Sequence, residues 1–392
     1  MRAKRVFLIV LDSVGAGEMP DAAKFGDAGA HTIRSVWQTG ALDIPNLQKL
    51  GIGNIDGLDF LGKADMPLAS VARMCECSQG KDTTVGHWEI AGYASNAPLP
   101  TFYEGFPEEI LAKVRRISGR ELLCNKTYSG TAVINDYGKE AKEKNAIIIY
   151  TSADSVLQLA VQVNGVMELD ELYRICAELR EELVGEEQGI GRIIARPYIE
   201  LPDGSYKRTA DRRDYSLAPP RVLLPEAVKN AGLASVAVGK ISDIFAGVGF
   251  SETVRTHSNT EGMELTEEYI GRDFEGLCFT NLVDFDMNWG HRRDAEGYAR
   301  GLCEFDAWLG SILPHLRDDD VLMITADHGC DPKYLKTTDH TREYTPLLIY
   351  GKNIRPQNFG TRQGFFDIAA TVAKLLGVEF YTEGKALELD TI

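Results

Sequence analysis

Short runs of apolar residues alternate with longer amphipathic stretches along most of this chain. Short runs rich in Val, Ile and Leu are typical of buried strands, whereas apolar positions that repeat with the period of a helix predict helices. The predicted strands occupy residues 6–11, 69–74, 234–238, 277–283, 321–324 and 346–350. A helix is predicted to start within residues 44–50, and others are predicted at 221–231, 293–316 and 366–376. This alternation favours an α/β fold with a mostly parallel sheet sandwiched by helices.

Two polar segments that contain prolines, SNAPLPT at 95–101 and SLAPPR at 216–221, interrupt this alternation. Between them the pattern predicts helices at 108–117 and 170–183 and strands at 146–151 and 192–196. The chain has 392 residues, which exceeds the roughly 250–300 at which a single core usually stops growing. We therefore predict an inserted α+β domain at 98–217, and a core formed by residues 1–97 and 218–392.

Composition and charge exclude several classes of protein. The hydrophobic content of 44% and the charged content of 26% are ordinary for a globular protein. The net charge of -16 argues against a nucleic-acid surface. No apolar run is long enough to span a membrane, and the basic N-terminus runs into Asp12 too soon for a signal peptide. Seven irregularly spaced cysteines fit reduced thiols in a cytoplasmic protein.

Acidic and histidine side chains follow several predicted strands or lie in glycine-containing turns. They are Asp12, Asp286, His291, Asp327, His328 and His340. Ligands bind beyond the carboxyl ends of parallel strands, so we expect these side chains to share one edge of the sheet. Mixed Asp/His sets suit Mn²⁺, Mg²⁺ or Zn²⁺, and the oxygen content favours Mn²⁺. Six ligands are too many for one tetrahedral ion and fit two adjacent ions, which can clamp the oxygens of a phosphoryl transfer.

Each of these residues has an ordinary structural alternative. A lone aspartate after a strand is most often a turn residue, and His291 alone could be a core histidine. The adjacency of Asp327 and His328 and the five-residue spacing from Asp286 to His291 favour a metal site over these alternatives. Four further histidines are interpreted mostly as structural: His31, His87, His257 and His315.

The stretch KDTTVGHWE, which starts at Lys81, is predicted to begin a helix. A hydroxyl group at a helix N-terminus lies where the helix dipole and the free N–H groups favour an anion. Thr83 is therefore a candidate nucleophile that could carry a phosphate. The alternative is that Thr83 only caps the helix.

Several stretches resemble the prokaryotic phosphopentomutases, a family of the alkaline phosphatase superfamily to which the cofactor-independent phosphoglycerate mutases also belong. These stretches are DSVG at 12, KDTTVGHWE at 81, YTSADSVLQ at 150, GKISDI at 239, NLVDFD at 281, GHRRD at 290, TADHG at 325 and DHTRE at 339. The similarity runs almost from end to end, with the motifs in order. It implies an alkaline-phosphatase-like core with an inserted cap domain.

The resemblance also implies roles for individual residues. One metal ion would be held by Asp12, Asp327 and His328, and the other by Asp286, His291 and His340. Thr83 matches the phosphorylated threonine of the family, and the sugar phosphate would be contacted by Ser152, Asp154, Arg192 and Lys240. Three features depart from the family pattern: Thr84 at a usually apolar position, Cys330 where asparagine is usual, and a slightly longer loop at 331–339.

The activity that the resemblance implies is the interconversion of ribose 1-phosphate and ribose 5-phosphate, and of the deoxyribose pair, in nucleoside salvage. It implies two divalent ions, with Mn²⁺ favoured, and a sugar bisphosphate activator (ribose 1,5-bisphosphate or glucose 1,6-bisphosphate). The expected partners are pentose phosphates, without nucleic acid or membrane, and the expected state is a cytoplasmic monomer.

Three alternatives stay open at this point. A phosphatase or sulfatase on the same skeleton would pass the transferred group to water, although the TSADS segment and the arginines of GRIIARP favour a mutase. A phosphoglycerate mutase would usually offer a serine where this chain has Thr83. A metal-stabilised binding protein would hold the ions without turnover.

Overall fold

The computed structural model of the protein describes residues 2–152, 155–184, 189–337 and 339–392. Its strands are β1 (Arg5–Leu11), β2 (Ser70–Cys75), β3 (Leu122–Thr127), β4 (Ile147–Thr151), β5 (Val156–Gln162), β6 (Arg192–Glu200), β7 (Tyr206–Arg208), β8 (Arg213–Ser216), β9 (Ala234–Val238), β10 (Glu252–Val254), β11 (Gly276–Leu282), β12 (Asp320–Thr325), β13 (Thr345–Tyr350) and β14 (Asn358–Gln363).

The α-helices are α1 (Thr32–Trp37), α2 (Pro45–Leu50), α3 (Thr83–Ile90), α4 (Glu108–Ser118), α5 (Ala132–Lys144), α6 (Leu169–Glu182), α7 (Leu224–Asn230), α8 (Ile241–Ile244), α9 (Asn259–Gly271), α10 (Ala295–Ile312) and α11 (Phe366–Leu376). Short 3-10 turns lie at Ala22–Phe25, Ile52–Asn54, Asp59–Leu61 and Leu313–His315, and a π-helix lies at Phe285–Gly290. Within the described ranges, no helix is both long and apolar enough to cross a membrane.

The chain forms two compact units, residues 1–96 with 219–392 and residues 97–218. The domain boundaries predicted at 97/98 and 217/218 lie next to these divisions. The role of residues 98–217 as a cap stays a prediction.

The first unit is built on an eight-stranded sheet in the order β10-β9-β11-β1-β12-β13-β2-β14. Strand β1 lies in the middle, parallel to β11 and β12, and all seven of its residues are buried. A strand covered on both faces needs apolar side chains on both, which explains why its sequence RVFLIVL lacks polar alternation. The basic exception, Arg5, is paired with Asp320 at 2.6 Å.

The second unit contains a six-stranded sheet in the order β3-β4-β5-β6-β7, with β8 paired to β6. Its ladders are mixed: β4 runs antiparallel to β5, and β5 runs parallel to β6. Apolar clusters cover both faces of this sheet, one of them including Leu159 and the other Tyr198. This unit is therefore an α+β structure with its own core.

The mostly parallel sheet is confirmed, with one exception. Strand β13 runs antiparallel to both β12 and β2. Two helices are shorter than predicted. Helix α7 starts at Leu224 rather than residue 221, because Leu223 is extended and Pro225 lies in the first turn. Helix α10 ends at Ile312 before Pro314, since proline cannot continue the hydrogen-bond pattern.

Candidate metal centre and nucleophile

Three neighbouring strands of the first sheet deliver the carboxylates of the candidate site. Asp12 follows β1, Asp286 follows β11, and Asp327 follows β12. These strands are parallel and adjacent in the order β11-β1-β12, so their carboxyl ends lie at one edge. All three carboxylates are buried.

The π-helix explains the five-residue spacing between Asp286 and His291. A π-helix bonds residues five apart, and the backbone N–H of His291 donates to the carbonyl oxygen of Asp286 at 3.0 Å. This turn brings the His291 Nε2 atom to 3.3 Å from Asp286 Oδ2. His340, from the segment between β12 and β13, places its Nε2 atom 3.5 Å from Asp286 Oδ1 and 3.1 Å from His291 Nε2.

Two groups of side chains have the proximity that a metal ion requires. Asp286, His291 and His340 form the first, and Asp12, Asp286 and His328 form the second, with ligand atoms within 4.8 Å of one another in each. Asp286 therefore belongs to both groups. Asp327 borders the second, with its Oδ2 atom 3.1 Å from His328 Nε2. The assignment of Asp327, rather than Asp286, to the ion held with Asp12 and His328 stays a prediction.

Backbone contacts orient two of the imidazoles towards the site. His328 Nδ1 lies 3.1 Å from the carbonyl oxygen of Gly329, and His340 Nδ1 lies 3.0 Å from that of Lys81. Because a carbonyl oxygen only accepts, each Nδ1 atom carries the proton in these contacts. The Nε2 atoms then face the carboxylates, which is the arrangement that metal-binding histidines usually have.

Three carboxylate oxygens in this cluster are buried and have no hydrogen-bond partner among the described residues. They belong to Asp12 (Oδ1), Asp286 (Oδ1) and Asp327 (Oδ2). A buried charged oxygen without a donor is strongly unfavourable. Three such atoms beside imidazole nitrogens fit the donor set of divalent cations.

The electrostatics of the cluster support the same conclusion. Burial raises the pKa of Asp12 to about 6, and the charges of Asp327 and Asp286 add to this shift. Burial also opposes ionisation of Asp286, but His340 and His291 hold its pKa well below the usual range. Burial disfavours the charged form of His328, yet Asp327 and Asp12 raise its pKa. The cluster thus favours positive charge between its carboxylates, which a divalent cation would supply.

Thr83 is the first residue of α3, and its hydroxyl oxygen lies 3.1 Å from His328 Nε2. The helix is capped by Asp82, whose Oδ1 atom accepts from the backbone N–H of Val85 at 3.1 Å. The alternative interpretation of Thr83 as the cap is therefore wrong. Its hydroxyl lies half-buried at the positive end of the helix and beside the candidate ligands.

The predicted substrate residues lie in both units. Lys240 is exposed and precedes α8, at the carboxyl end of β9. Ser152 follows β4, and Arg192 begins β6, where it pairs with Val156. Since β4 is antiparallel to β5, and β5 is parallel to β6, Ser152 and Arg192 lie at the same end of the second sheet. Asp154 lies outside the described residues.

Three residues beside this cluster received no functional role from the sequence, in which His87 was interpreted mostly as structural. His87 and Asn281 are buried between Asp12 and Asp327, and each contacts one of these two carboxylates. Asn281 could have been noticed in the sequence, because it and Thr280 are polar residues near the end of a buried strand. The buried Cys330 has its Sγ atom 3.9 Å from His291 Nδ1.

Comparison with known proteins places this geometry in a class. A profile of the Metalloenzyme superfamily matches residues 4–380. The solved structure of Leishmania mexicana phosphoglycerate mutase superposes with a TM-score of 0.52 at 12% identity, covering 100% of this chain and 98% of that one. The chain is thus a member of the metalloenzyme superfamily with an alkaline-phosphatase-like fold, and this membership implies that it binds divalent metal.

Relatives of much higher identity define the family. A phosphopentomutase of Lachnoclostridium phytofermentans is 52% identical over 386 residues, covering 98% of each chain. A phosphopentomutase of Acetivibrio thermocellus is 50% identical, with the same coverage. The chain therefore belongs to the phosphopentomutase family, which confirms the resemblance found in the sequence.

Proposed function

We propose that the protein is a phosphopentomutase, an isomerase that interconverts α-D-ribose 1-phosphate and D-ribose 5-phosphate, and the 2-deoxyribose pair. The relatives named phosphopentomutase support the reaction class. The observation that carries the proposal for this chain is the position of Thr83. Its hydroxyl, at a helix N-terminus and 3.1 Å from His328 Nε2, supports a role in giving and receiving a phosphoryl group.

The metal ions would be held by Asp12, Asp327 and His328 on one side and by Asp286, His291 and His340 on the other. Mn²⁺ is the favoured ion, because mixed Asp/His sets suit Mn²⁺, Mg²⁺ or Zn²⁺ and the oxygen content of this set favours Mn²⁺. When bound, divalent ions neutralise the charge on the transferred phosphoryl group and lower the pKa of a nearby hydroxyl. The unpartnered oxygens of Asp12, Asp286 and Asp327 support this proposal.

The proposed reaction has two phosphoryl transfers. Phosphorylated Thr83 gives its phosphoryl group to the free hydroxyl of the pentose phosphate, which forms a sugar bisphosphate and frees the Thr83 hydroxyl. The bisphosphate then returns its other phosphoryl group to Thr83 and leaves as the isomeric monophosphate. A sugar bisphosphate, ribose 1,5-bisphosphate or glucose 1,6-bisphosphate, would load Thr83 at the outset.

The proposed substrate contacts are Ser152, Asp154, Arg192 and Lys240. Cationic side chains recognise phosphate oxygens through charge-assisted hydrogen bonds, and a guanidinium can do so with two donors. We also propose a cytoplasmic monomer that serves nucleoside salvage. Unpaired cysteines, including Cys77 and Cys303, support a reducing compartment.

An assay of the protein with Mn²⁺, ribose 1-phosphate and a trace of ribose 1,5-bisphosphate tests the reaction. Formation of ribose 5-phosphate, followed by ³¹P NMR, is the expected result, and it should stop when a chelator removes the metal. Release of inorganic phosphate would instead identify a phosphatase. If neither product forms, the protein is not a catalyst for this substrate.

Replacement of Thr83 by alanine should lower kcat at least about a thousandfold, because the phosphoryl carrier is lost. The matched control is Thr84→Ala, which removes the neighbouring hydroxyl and should keep kcat within about tenfold. Intact mass should show one phosphoryl group on the wild type and on Thr84→Ala after incubation with the bisphosphate, and none on Thr83→Ala. The reverse pattern would assign the nucleophile to Thr84.

A further inference from the structure

His87 is a fully buried histidine on the inner side of α3, one turn after Thr83. Its Nδ1 atom lies 2.8 Å from the carbonyl oxygen of Thr83 and 3.2 Å from Asp327 Oδ2. The ring thus contacts both the residue that carries the candidate nucleophile and a candidate metal ligand. The carbonyl oxygen of Thr83 can only accept a hydrogen bond. The same holds for the carboxylate oxygen of Asp327 when that side chain is ionised.

The other side of the ring contacts Asn281. The amide Nδ2 atom of Asn281 lies 3.2 Å from His87 Nε2 and 2.9 Å from Asp12 Oδ2. The opposite orientation of this amide would place its oxygen against the Asp12 carboxylate, which also accepts, so the contact with Asp12 assigns the nitrogen to this side. An amide NH₂ group has two hydrogens, one for each of these contacts.

These contacts assign the proton of His87. Because Asn281 donates to Nε2, that atom must be the acceptor of a neutral ring. The proton then sits on Nδ1, where it donates to the carbonyl oxygen of Thr83 at 2.8 Å. A continuous chain of hydrogen bonds therefore leads from Asp12 through Asn281 and His87 to the backbone of Thr83.

We propose that His87 is a positioning residue, which holds the Thr83 turn against the metal ligands Asp327 and, through Asn281, Asp12. This inference rests on the function proposed above for Thr83. His87 acts through the placement of other groups, so its loss should lower kcat and leave KM nearly unchanged. Partners that orient the ligands of a metal site typically contribute about 10–100-fold to activity or metal affinity.

Two substitutions of similar polarity test the roles of the two ring nitrogens, Nδ1 and Nε2, separately. His87→Asn keeps a donor bonded to Cγ, as Nδ1 is, and should retain kcat within about threefold. His87→Gln carries its amide one bond further out, where its oxygen can accept from Asn281 but no donor remains at the Nδ1 position. It should lose about 10–100-fold in kcat, as should His87→Leu. His257→Gln, at an exposed histidine, is the matched control and should leave kcat unchanged.

A readout that does not depend on turnover is the tautomer of His87. In ¹⁵N-histidine-labelled protein loaded with diamagnetic Mg²⁺, the signal that disappears in His87→Asn should show a proton on Nδ1 and none on Nε2. A proton on Nε2, or on both nitrogens, would overturn the hydrogen-bond chain. Equal losses of kcat in His87→Asn and His87→Gln, or no loss in either, would overturn the positioning role.

The experiment also separates this inference from the proposed function. If wild-type protein forms no ribose 5-phosphate, the proposed function fails, and the tautomer still decides the hydrogen-bond chain. If the wild type is active and Thr83→Ala is inactive, the proposed function stands whatever the His87 variants show. Thermal unfolding of each variant checks that a lower kcat does not reflect a smaller folded fraction.

Discussion

Glu343 is a buried carboxylate that joins three segments of the candidate site. Its two oxygens accept from the backbone N–H groups of Gly17 and Thr32, at 3.0 and 2.9 Å, and from the hydroxyls of Thr32 and Thr341, both at 2.7 Å. The Thr32 hydroxyl oxygen accepts in turn from the N–H of Cys330 at 3.1 Å. One side chain thus ties together the segments that follow β1 and β12 and the segment before β13.

The ionisation of Glu343 predicts a pH dependence of stability. Burial raises its pKa from 4.5 to about 7, although the hydrogen bonds from Thr341 and from the backbone and hydroxyl of Thr32 favour the charged form. A carboxyl group with a raised pKa stabilises the fold fully below pH 4.5, and this contribution is lost as the pH rises to about 7. The full shift corresponds to about 3 kcal/mol.

The stability of the wild type relative to Glu343→Gln should therefore fall between pH 4.5 and 7 and stay constant above. Urea unfolding at several pH values measures this difference, and taking the difference cancels the other groups that titrate in the same range. Glu379→Gln, at an exposed position, is the control and should show no such trend. A pH-independent difference for Glu343→Gln would contradict the raised pKa.

Among the secondary-structure elements, α3 depends on close packing against the end of β12. A Cβ atom added to Gly86 would lie 2.3 Å from the carbonyl oxygen of Asp327. Only glycine allows the helix to approach this backbone so closely. The approach brings Thr83, at the start of the same helix, within hydrogen-bond distance of His328.

The substitution Gly86→Ala should displace α3 from the candidate ligands. Overpacking of this kind typically destabilises by about 1–3 kcal/mol, and kcat should fall by at least about tenfold because the Thr83 hydroxyl moves. Kinetics and urea unfolding measure the two effects. Gly271→Ala, also in a helix but with no atom of the described residues within 4 Å of its added Cβ atom, should keep kcat and change stability by no more than about 1 kcal/mol. An unchanged kcat in Gly86→Ala would show that the close approach is not needed.

At the level of the whole molecule, the chain divides into two units that each have their own apolar clusters. In residues 97–218 the clusters on the two faces of the second sheet contain fully buried side chains such as Leu159 and Val133. In the first unit, a large cluster includes Phe7 and Phe305. A unit of roughly 100–150 residues with its own core is the usual size of an independently folding domain.

Residues 97–218 should therefore fold when expressed alone. Cooperative urea unfolding, together with a dispersed ¹H–¹⁵N spectrum, is the expected result. Leu159→Ala should destabilise the isolated segment by about 2–5 kcal/mol, as in the full-length protein. A segment that unfolds gradually, without a transition, would show that its core needs the rest of the chain.

The local pattern of apolar and polar residues was sufficient to predict much of the fold and to identify the residues of the candidate metal centre. The continuous apolar runs predicted β1, β9 and β11–β13, because a strand buried on both faces must be apolar throughout. Carboxyl ends of parallel strands share an edge, so the sequence was enough to predict that Asp12, Asp286 and Asp327 lie together. Strands β3 and β5 and helices α5 and α9 were missed, although all seven residues of β5 are buried and each of the two helices has 13 residues.

The distances within the site could not be predicted in the same way. Thr83 and His328 are 245 positions apart along the chain, and their contact depends on which strands become neighbours and on how closely α3 packs. The π-helix at Phe285–Gly290, the membership of Asp286 in both ligand groups, and the chain through Asn281 and His87 depend on the same packing. Residue type and periodicity are local properties of a sequence. The positions of side chains across a sheet edge arise only when distant segments pack together.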